Sequence, residues 1–590
     1  MKRIFAAIMC VAIVLTMSTV TAFASSEDNS ILKLPEDDGT GYPVTGISGD
    51  SYKNNDDVTK LVVPENITRL GERVFIGCSN LEQIKLHDKI QVIGESAFER
   101  TAYYDDKDNW EDGVLYIGDA LIKADSKKIG EAYSIRKGTR IIADGAFADC
   151  QKLNSITIPD TVEYVGTGAF DGTAYFEAQE NWSDNMLVLG HLLLAIDKEY
   201  AGVVDVPEGI ITIADGAFAH SKLTELTTPD SLKHIGYNAF WDCQNLTKVS
   251  IEKSVTTIGR GPFRMCTDLS EILVHEENEN FAVVDGVLYN KQLSAVIRCP
   301  HKLTGDVVIP HSVTKINAYA FEWCTEIESV DIPEGCVFIG NSAFSVCENL
   351  SDVILPESME YIDQYAFSYC NSIESFEVPD NVYYLGKYAF TCCMELKEVA
   401  LGNKITILKE GLFESAEKLN IVNLGENIEE ISCSAFEFTK YISNVSKYKN
   451  GLLIASDKYL IKVAPDIVNC TIPSGVTVIA DGAFEDLTEE SPIKEIHVPV
   501  SVKKFNWRAF ADIPERTPVH YSGSWNSFLA KTDFDWDCIN LHTTDFKTTI
   551  WSVVTLSGVL ILFVAGIVVF NNLRKRYEQE TETEEEYAEE

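Results

Sequence analysis

Positive charge is scarce in this sequence: 49 Lys and Arg stand against 90 Asp and Glu over 590 residues, a net charge of −41. Binding to a phosphate backbone depends on counterion release by Lys and Arg, so nucleic acid is excluded as a partner. Catalytic signatures are missing too. There is no H-E-x-x-H, no G-x-S-x-G and no Walker loop, and the ten His are scattered without a recurring acidic or nucleophilic neighbour. No catalytic residue and no cofactor is assigned, and the chain is not expected to be an enzyme. Zinc is not expected either, because no C-x-x-C or Cys/His pair recurs with the repeat. The stretch Asp105, Asp106, Asp108, Glu111, Asp112 could attract calcium but lacks the spacing and closing Glu of an EF loop, so it reads first as a solvated loop. A sortase-type L-P-x-T-G is absent, since Leu34-Pro35-Glu36 and Leu355-Pro356-Glu357 lack the remainder. Low hydrophobicity, the mark of disorder, is absent as well: 45% of residues are hydrophobic and 10% aromatic. A chain this long exceeds one compact core, which leaves several domains or one repeat array.

Both ends address the chain to a membrane. Lys2 and Arg3 precede an apolar run from Ile4 to Leu15, and Ala22-Phe23-Ala24 supplies a small-residue cleavage site, so 1–24 reads as a signal peptide. Thr549 to Phe570 is uncharged and largely apolar; as a helix it would reach about 33 Å, enough to cross a bilayer. Arg574, Lys575 and Arg576 follow it and predict a cytoplasmic tail from 571 to 590, rich in Glu, with the bulk of the chain outside.

Between the ends runs a repeat of 23 residues. Phenylalanines, usually preceded by Ala, recur at Phe75, Phe98, Phe147, Phe170, Phe218, Phe240, Phe263, Phe321, Phe344, Phe367, Phe390, Phe413, Phe436, Phe484 and Phe510. Longer gaps equal one period plus an insertion of about 25 to 35 residues, so the array continues in register through them. With Phe as zero, an aliphatic residue sits at minus five (Val165, Ile235, Ile339, Ile362, Leu385), others at plus six, nine and eleven (Leu350, Val353, Leu355), and Pro commonly at plus twelve (Pro159, Pro333, Pro356, Pro379). Plus nine and plus eleven share one face of a short strand, and plus ten points out. The unit therefore reads as a strand, a turn and a compact helical turn. Its Ala makes room for the Phe ring. One coil cannot bury its own apolar side, whereas stacked coils build a continuous core and one parallel sheet.

The run Ile339-Gly340-Asn341-Ser342-Ala343-Phe344-Ser345-Val346-Cys347-Glu348-Asn349-Leu350, with Val353, Leu355 and Pro356, resembles the BspA-type, or treponemal, leucine-rich repeat of cell-surface proteins. The resemblance covers about residues 57 to 525. It implies a repeat solenoid of the α/β leucine-rich class with a parallel sheet on the concave face; the repeat itself gives about 15 coils, and the residues add hairpin insertions and one C-terminal transmembrane helix. The expected organisation is signal peptide 1–24, N-terminal extracellular segment 25–56, solenoid 57–530, juxtamembrane segment 531–548, transmembrane helix 549–570 and cytoplasmic tail 571–590. Several members of the family are adhesins, which implies host matrix or cell-surface proteins, or other microbial surfaces, as partners.

The insertions repeat as well. Thr101-Ala102-Tyr103-Tyr104 leads through Asn109-Trp110 to Gly113-Val114-Leu115-Tyr116-Ile117, and Thr173-Ala174-Tyr175 leads through Asn181-Trp182 to Leu187-Val188-Leu189. Related runs at Gly286-Val287-Leu288-Tyr289 and Gly451-Leu452-Leu453-Ile454 complete a set of expected β-hairpins on the side of the solenoid, either edge covers or ligand-facing elements. Trp525 is expected to shield the last coil. Eight of fifteen Cys lie at plus three from the Phe: Cys78, Cys150, Cys243, Cys266, Cys324, Cys347, Cys370 and Cys393. They read as a ladder of buried free thiols; oxidation of neighbouring pairs also fits the stacked spacing.

Two surfaces are candidates for a ligand. The outward strand positions Asp331, Ile354, Glu377, Ala400 and Asn423, with Asp352 and Glu398 beside them, form a mixed column expected on the concave sheet. Tyr319, Tyr365 and Tyr388, two residues before the Phe, and Trp323 and Tyr369, two after it, form an alternative convex aromatic ridge. The function expected is a membrane-anchored extracellular protein that binds protein or cell-surface ligands in adhesion or host/microbe interaction. The alternatives are a structural surface spacer without a dedicated ligand and a surface glycan-processing enzyme.

Overall fold

The computed structural model describes residues 31–34, 45–503, 505–510, 513–514, 517–523, 532–533 and 541–543. The expected signal peptide, transmembrane helix, cytoplasmic tail and Trp525 cap lie outside these residues. Among the described residues no helix is long and apolar enough to cross a membrane. The chain divides into two compact units, one spanning Asp28–Lys447 and one that contains the described residues from Tyr448 onward.

Each coil carries two strands in parallel ladders. The longer, such as Asp352–Ile354, pairs with its counterpart one period away, Ser329 opposite Asp352 and Asp331 opposite Ile354. The shorter, such as Tyr361–Ile362, pairs with Tyr384–Leu385. Plus-nine and minus-five side chains point to the core as expected: Phe376, Val399, Ile362 and Leu385 are buried.

In most coils the turn holding the Phe is not helical; short 3-10 turns hold it at Cys433–Phe436 and Trp507–Phe510. In the coil of Phe344, the N–H groups of Ser342, Phe344 and Val346 donate to the next coil at Gln364, Ala366 and Ser368, at 3.0, 2.8 and 2.8 Å. The N–H groups between them bond within the coil, Ala343 to Gly340 and Ser345 to Ser342. Every second N–H must therefore point along the stack, and the chain achieves this by placing the residues at minus two and plus two in the left-handed region: Ser342 has φ 51° and Val346 φ 62°. The expected α/β class is thus corrected to a β-solenoid. Its only α-helices among the described residues are the four-residue Ala102–Asp105, Ala174–Glu177 and Lys440–Ser443, all in insertions.

Phe rings stack down the core. Phe321, Phe344, Phe367 and Phe390 follow one another at 4.8, 5.2 and 5.4 Å, nearly parallel, which matches the spacing of paired strands. Cysteine at plus three fits because its Sγ donates to the carbonyl oxygen of the Phe one coil back: Cys347 to Phe321, Cys370 to Phe344 and Cys393 to Phe367, each at 3.1 Å. All thirteen cysteines among the described residues are free thiols.

The coil count also needs correction. Fifteen longer strands lie in the unit Asp28–Lys447 and four in the other, about 20 turns rather than about 15. The Phe landmarks missed four. Tyr52 fills the Phe slot of the coil that contains Ile31–Lys33, stacking on Phe75 at 5.5 Å. Glu271–Val274 belongs to a coil interrupted before its Phe, and Val519–Tyr521 and Leu541–Thr543 follow the last Phe. These final strands pair with each other, carrying the ladder past Trp525.

Hairpins do not sit on the side of the solenoid. Strands Trp110–Glu111, Val114–Ile117 and Ala120–Ala124 form an antiparallel meander whose last strand pairs in parallel with Ile141–Ile142 of the next coil. Leu192–Ile196, Ala295–Arg298 and Tyr459–Val463 enter the shorter-strand ladder in the same way. Their residues are core: Val114, Leu121, Leu187 and Leu193 are fully buried.

Candidate functional site

The hairpins shape a cavity. In a plain coil the residue at minus four bonds to the shorter strand one coil back, as Gly340 does to Ile316. After a hairpin, Ala143 bonds to Leu121 of the hairpin while Asp144 reaches past it to Ile93 of the preceding coil, at 2.9 Å each. Ala214 and Asp215 repeat this with Leu193 and Val165. Across each of these two hairpins the longer strands of the flanking coils do not pair. The backbone bond from Asp144 or Asp215 holds the coils together beside the shorter strands, so each hairpin is a wedge that leaves the stack open on the longer-strand side. The stack bends towards the bonded side.

The bend is steep. Seven ladder steps separate Arg69–Leu70 from His234–Ile235, about 34 Å if straight, yet the Arg69 guanidinium lies 5.2 Å from the Tyr237 ring centroid. The open cavity inside the bend measures about 960 Å³, and its walls come from coils as far apart in sequence as Thr45 and Gln364. Its lining combines three cations, Arg69, Arg260 and Lys315, with five aromatic rings, Tyr164, Tyr237, Phe281, Phe338 and Tyr361, and the acids Asp215 and Asp363. A concave, mostly preformed surface with a few convergent polar groups is the usual form of a binding site.

Five of the cations and rings that line the cavity come from one structural position. Minus five points into the core, so minus six points out of it, and Arg69, Tyr164, Lys315, Phe338 and Tyr361 all occupy minus six. Phe338, Tyr361 and Tyr384 stack at 5.1 and 4.1 Å, and Lys409 sits over Tyr384 at 3.6 Å. His234, also at minus six, packs on Tyr164 at 5.3 Å and contacts the Thr257 hydroxyl at 2.7 Å. Burial holds His234 below its ordinary pKa. Sequence reasoning missed this column. The signal was present: the residue before each minus-five aliphatic is aromatic or basic more often than a plain solvated strand would require.

Two carboxyls sit at the wedges. Asp144 Oδ1 accepts the N–H of Thr167 at 2.9 Å, and Asp215 Oδ1 accepts that of Tyr237 at 2.6 Å. Burial pushes Asp144 up to about 7, with repulsion from Glu95 and Glu72 added. Burial first, then the neighbouring charge of Asp144, drives Asp215 well above the ordinary carboxylate range.

The two predicted surfaces lie elsewhere. Asp331, Asp352, Ile354, Glu377, Glu398 and Asn423 are exposed and Ala400 half-buried, with Ile354 at 75%. The register brings Asp331 beside Ile354 and aligns Glu377, Ala400 and Asn423. None of the seven lines the cavity, which belongs to the shorter-strand face. The aromatic ridge consists of left-handed residues: Tyr319, Trp323, Tyr365, Tyr369 and Tyr388 have φ between 56° and 64°. Tyr365 stacks on Tyr388 at 5.1 Å, the Tyr388 hydroxyl donates to Glu410 at 2.7 Å, and the Arg264 guanidinium covers Tyr319 at 4.0 Å. Trp323 and Tyr369 are exposed.

In the acidic insertion the Asp106 carboxylate caps a short helical turn by accepting the N–H of Asp108 at 3.0 Å. The second unit gathers Glu495, His497 and His520, the group among the described residues able to hold a metal ion.

A family model described as the BspA type leucine rich repeat region matches residues 21–120, 126–181, 201–304, 299–420 and 408–541. Solved structures with a similar chain include a leucine rich cell surface protein from Faecalibacterium prausnitzii A2-165, at 24% identity and TM-score 0.38, covering 68% of this chain and 89% of that one. A leucine-rich repeat protein from Eubacterium ventriosum ATCC 27560 has 22% identity and TM-score 0.40, covering 65% and 89%. The pneumococcal vaccine antigen PcpA has 17% identity and TM-score 0.30, covering 88% and 90%. Among curated proteins no match is found.

Proposed function

The chain belongs to the BspA-type leucine-rich repeat family, and from that premise we propose a surface-anchored binding protein whose protein or cell-surface ligand enters the cavity of the unit Asp28–Lys447. In this reading residues 1–24 direct export, 549–570 anchor the chain in the membrane, and adhesion to a host or microbial surface follows from the exposed ectodomain. The single supporting observation is the cavity itself. Three cations and five aromatic rings converge there in a chain of net charge −41. Rings supply rigid contact area, and Arg and Lys pair with acidic groups, so an extended acidic segment carrying apolar side chains is the chemistry that fits. Electrostatic attraction would also be local to the cavity, since the surrounding surface repels acids.

The test is saturable binding of the ectodomain to an array of matrix proteins, mucins, glycans and bacterial surfaces. Arg69→Ala with Arg260→Ala is expected to weaken binding at least about tenfold, the loss of one or two charge-assisted bonds. The triple variant Asp331→Ala, Glu377→Ala and Asn423→Ala is expected to bind as the wild type does. The reverse pattern would move the site to the longer strands, and no binding to any surface would favour the spacer reading. The glycan-processing alternative has one observation behind it, the two neighbouring carboxyls of Asp144 and Asp215, which burial pushes above the ordinary carboxylate range. Glycan cleavage abolished by Asp215→Asn would support it.

A further inference from the structure

Three ligand-bearing side chains meet on one sheet face of the second unit. Strand Glu495–Val498 buries Ile496 and Val498 in the core, so Glu495 and His497 alternate onto the opposite face. The neighbouring strand Val519–Tyr521 buries Val519 and Tyr521 and places His520 directly opposite His497 in the parallel register. The two imidazoles stack at 4.8 Å with an 18° tilt. Glu495 reaches both: Oε1 lies 3.4 Å from His497 Nε2, and Oε2 lies 3.6 Å from His520 Nε2. All the candidate ligand atoms fall within 4.8 Å of one another.

We propose that Glu495, His497 and His520 form a binding site for a divalent transition-metal ion, with zinc the expected occupant. Zinc takes imidazole nitrogen and carboxylate oxygen at about 2.0–2.2 Å, which sets neighbouring ligand atoms about 3.3 Å apart in a tetrahedron. The two His–Glu separations already lie within a few tenths of an ångström of that edge. Two imidazoles and one carboxylate suit zinc, copper or nickel rather than calcium or magnesium, which take oxygen. The face is half-buried and open, so three protein ligands leave a position for water or for a group from outside the chain. No local motif announces this site, because His497 and His520 sit one period apart in sequence and become neighbours only when coils stack.

The competing explanation is an ordinary surface contact between a carboxylate and two imidazoles. Calorimetric titration of zinc into the metal-free full chain separates the two. The wild type is expected to take up zinc at this site with a dissociation constant of about a micromolar or tighter, weakened at least about tenfold in Glu495→Gln and lost in the double variant His497→Asn, His520→Asn. Cobalt is expected to give visible d–d bands in the wild type that the double variant lacks. Equal zinc uptake and affinity in wild type and double variant would overturn the assignment, as would wild-type affinity weaker than about a millimolar. Should the double variant fail to fold, the near-isosteric Glu495→Gln decides: zinc must raise the unfolding midpoint of the wild type more than that of the variant, and an equal rise refutes the site.

Discussion

At Asp144 the cost of a buried charge and the need for a coil-to-coil hydrogen bond act on the same carboxyl. Its Oδ1 caps the Thr167 N–H, while burial pushes its pKa up to about 7. A folded-state pKa above the unfolded value of about 4 means that the protonated form stabilises the fold. That stability is fully present below about pH 4 and is lost as pH rises through 7. Asn keeps the acceptor and cannot ionise. Asp144→Asn should therefore gain stability relative to wild type between pH 5 and pH 8, on the order of 1–2 kcal/mol once solvent screening is allowed for. Denaturant midpoints at the two pH values measure it, and a constant difference between the proteins would refute the account. The same scale explains the thiols. Burial pushes Cys393 and Cys470 up to about 12 and Cys150 up to about 11, so these ladder and core cysteines act as packing groups rather than nucleophiles.

Among the elements, the hairpins decide most. Where the plus-three residue is Thr, a four-residue helix and a hairpin follow. Thr101 and Thr173 each donate Oγ1–H to the Phe carbonyl three residues back, at 2.8 and 2.7 Å, and each Oγ1 accepts the N–H of the third residue ahead. The chain is thereby lifted out of the coil. Farther on, Trp110 and Trp182 each donate indole N–H to the backbone six residues earlier, fixing the hairpin base. Thr173→Val keeps the shape and removes both hydroxyl bonds, so it should cost about 1–2 kcal/mol. Hydrogen exchange across Met186–Ile196 should quicken with it; unchanged protection there would show that the hairpin docks without its cap. Sequence carried these signals. Ala-Asp-Gly-Ala-Phe, ending at Phe147, Phe218 and Phe484, stands after a hairpin each time, and its Asp makes the long reach past the wedge at Asp144 and Asp215. That the motif marks a bend, however, depends on the partner strand it bypasses, which no spacing reveals.

For the whole molecule the governing quantities are stacking and charge. A solenoid's stability is approximately a sum of coil stabilities and neighbour contacts, here Phe stacks, thiol bonds and ladder hydrogen bonds repeated coil after coil. Against this acts self-repulsion from a net charge of −41. Raising salt from about 0.02 to 0.3 M shortens the screening length from roughly 20 Å to below 8 Å, so the thermal midpoint should rise. A midpoint that falls over the same range would mean that attractive pairs such as Lys418–Glu395 and Lys397–Glu374 outweigh the net repulsion.

What the sequence alone determined was everything that one coil states about itself. The Phe at zero, the aliphatic positions at minus five and plus nine, and the small residue at plus three follow from burial, which every coil must satisfy separately and therefore repeats in print. Tyr52 escaped because an aromatic ring, not Phe as such, is what the slot requires. Tertiary structure decided what depends on how coils meet. Left-handed residues at minus two and plus two arise from hydrogen bonds between coils. The face that lines the cavity is set by where hairpin strands wedge the stack. The meeting of Glu495, His497 and His520 is set by the register of two strands. Each is a relation between coils, and a periodic sequence records the coil but not the angle at which the next one is laid upon it.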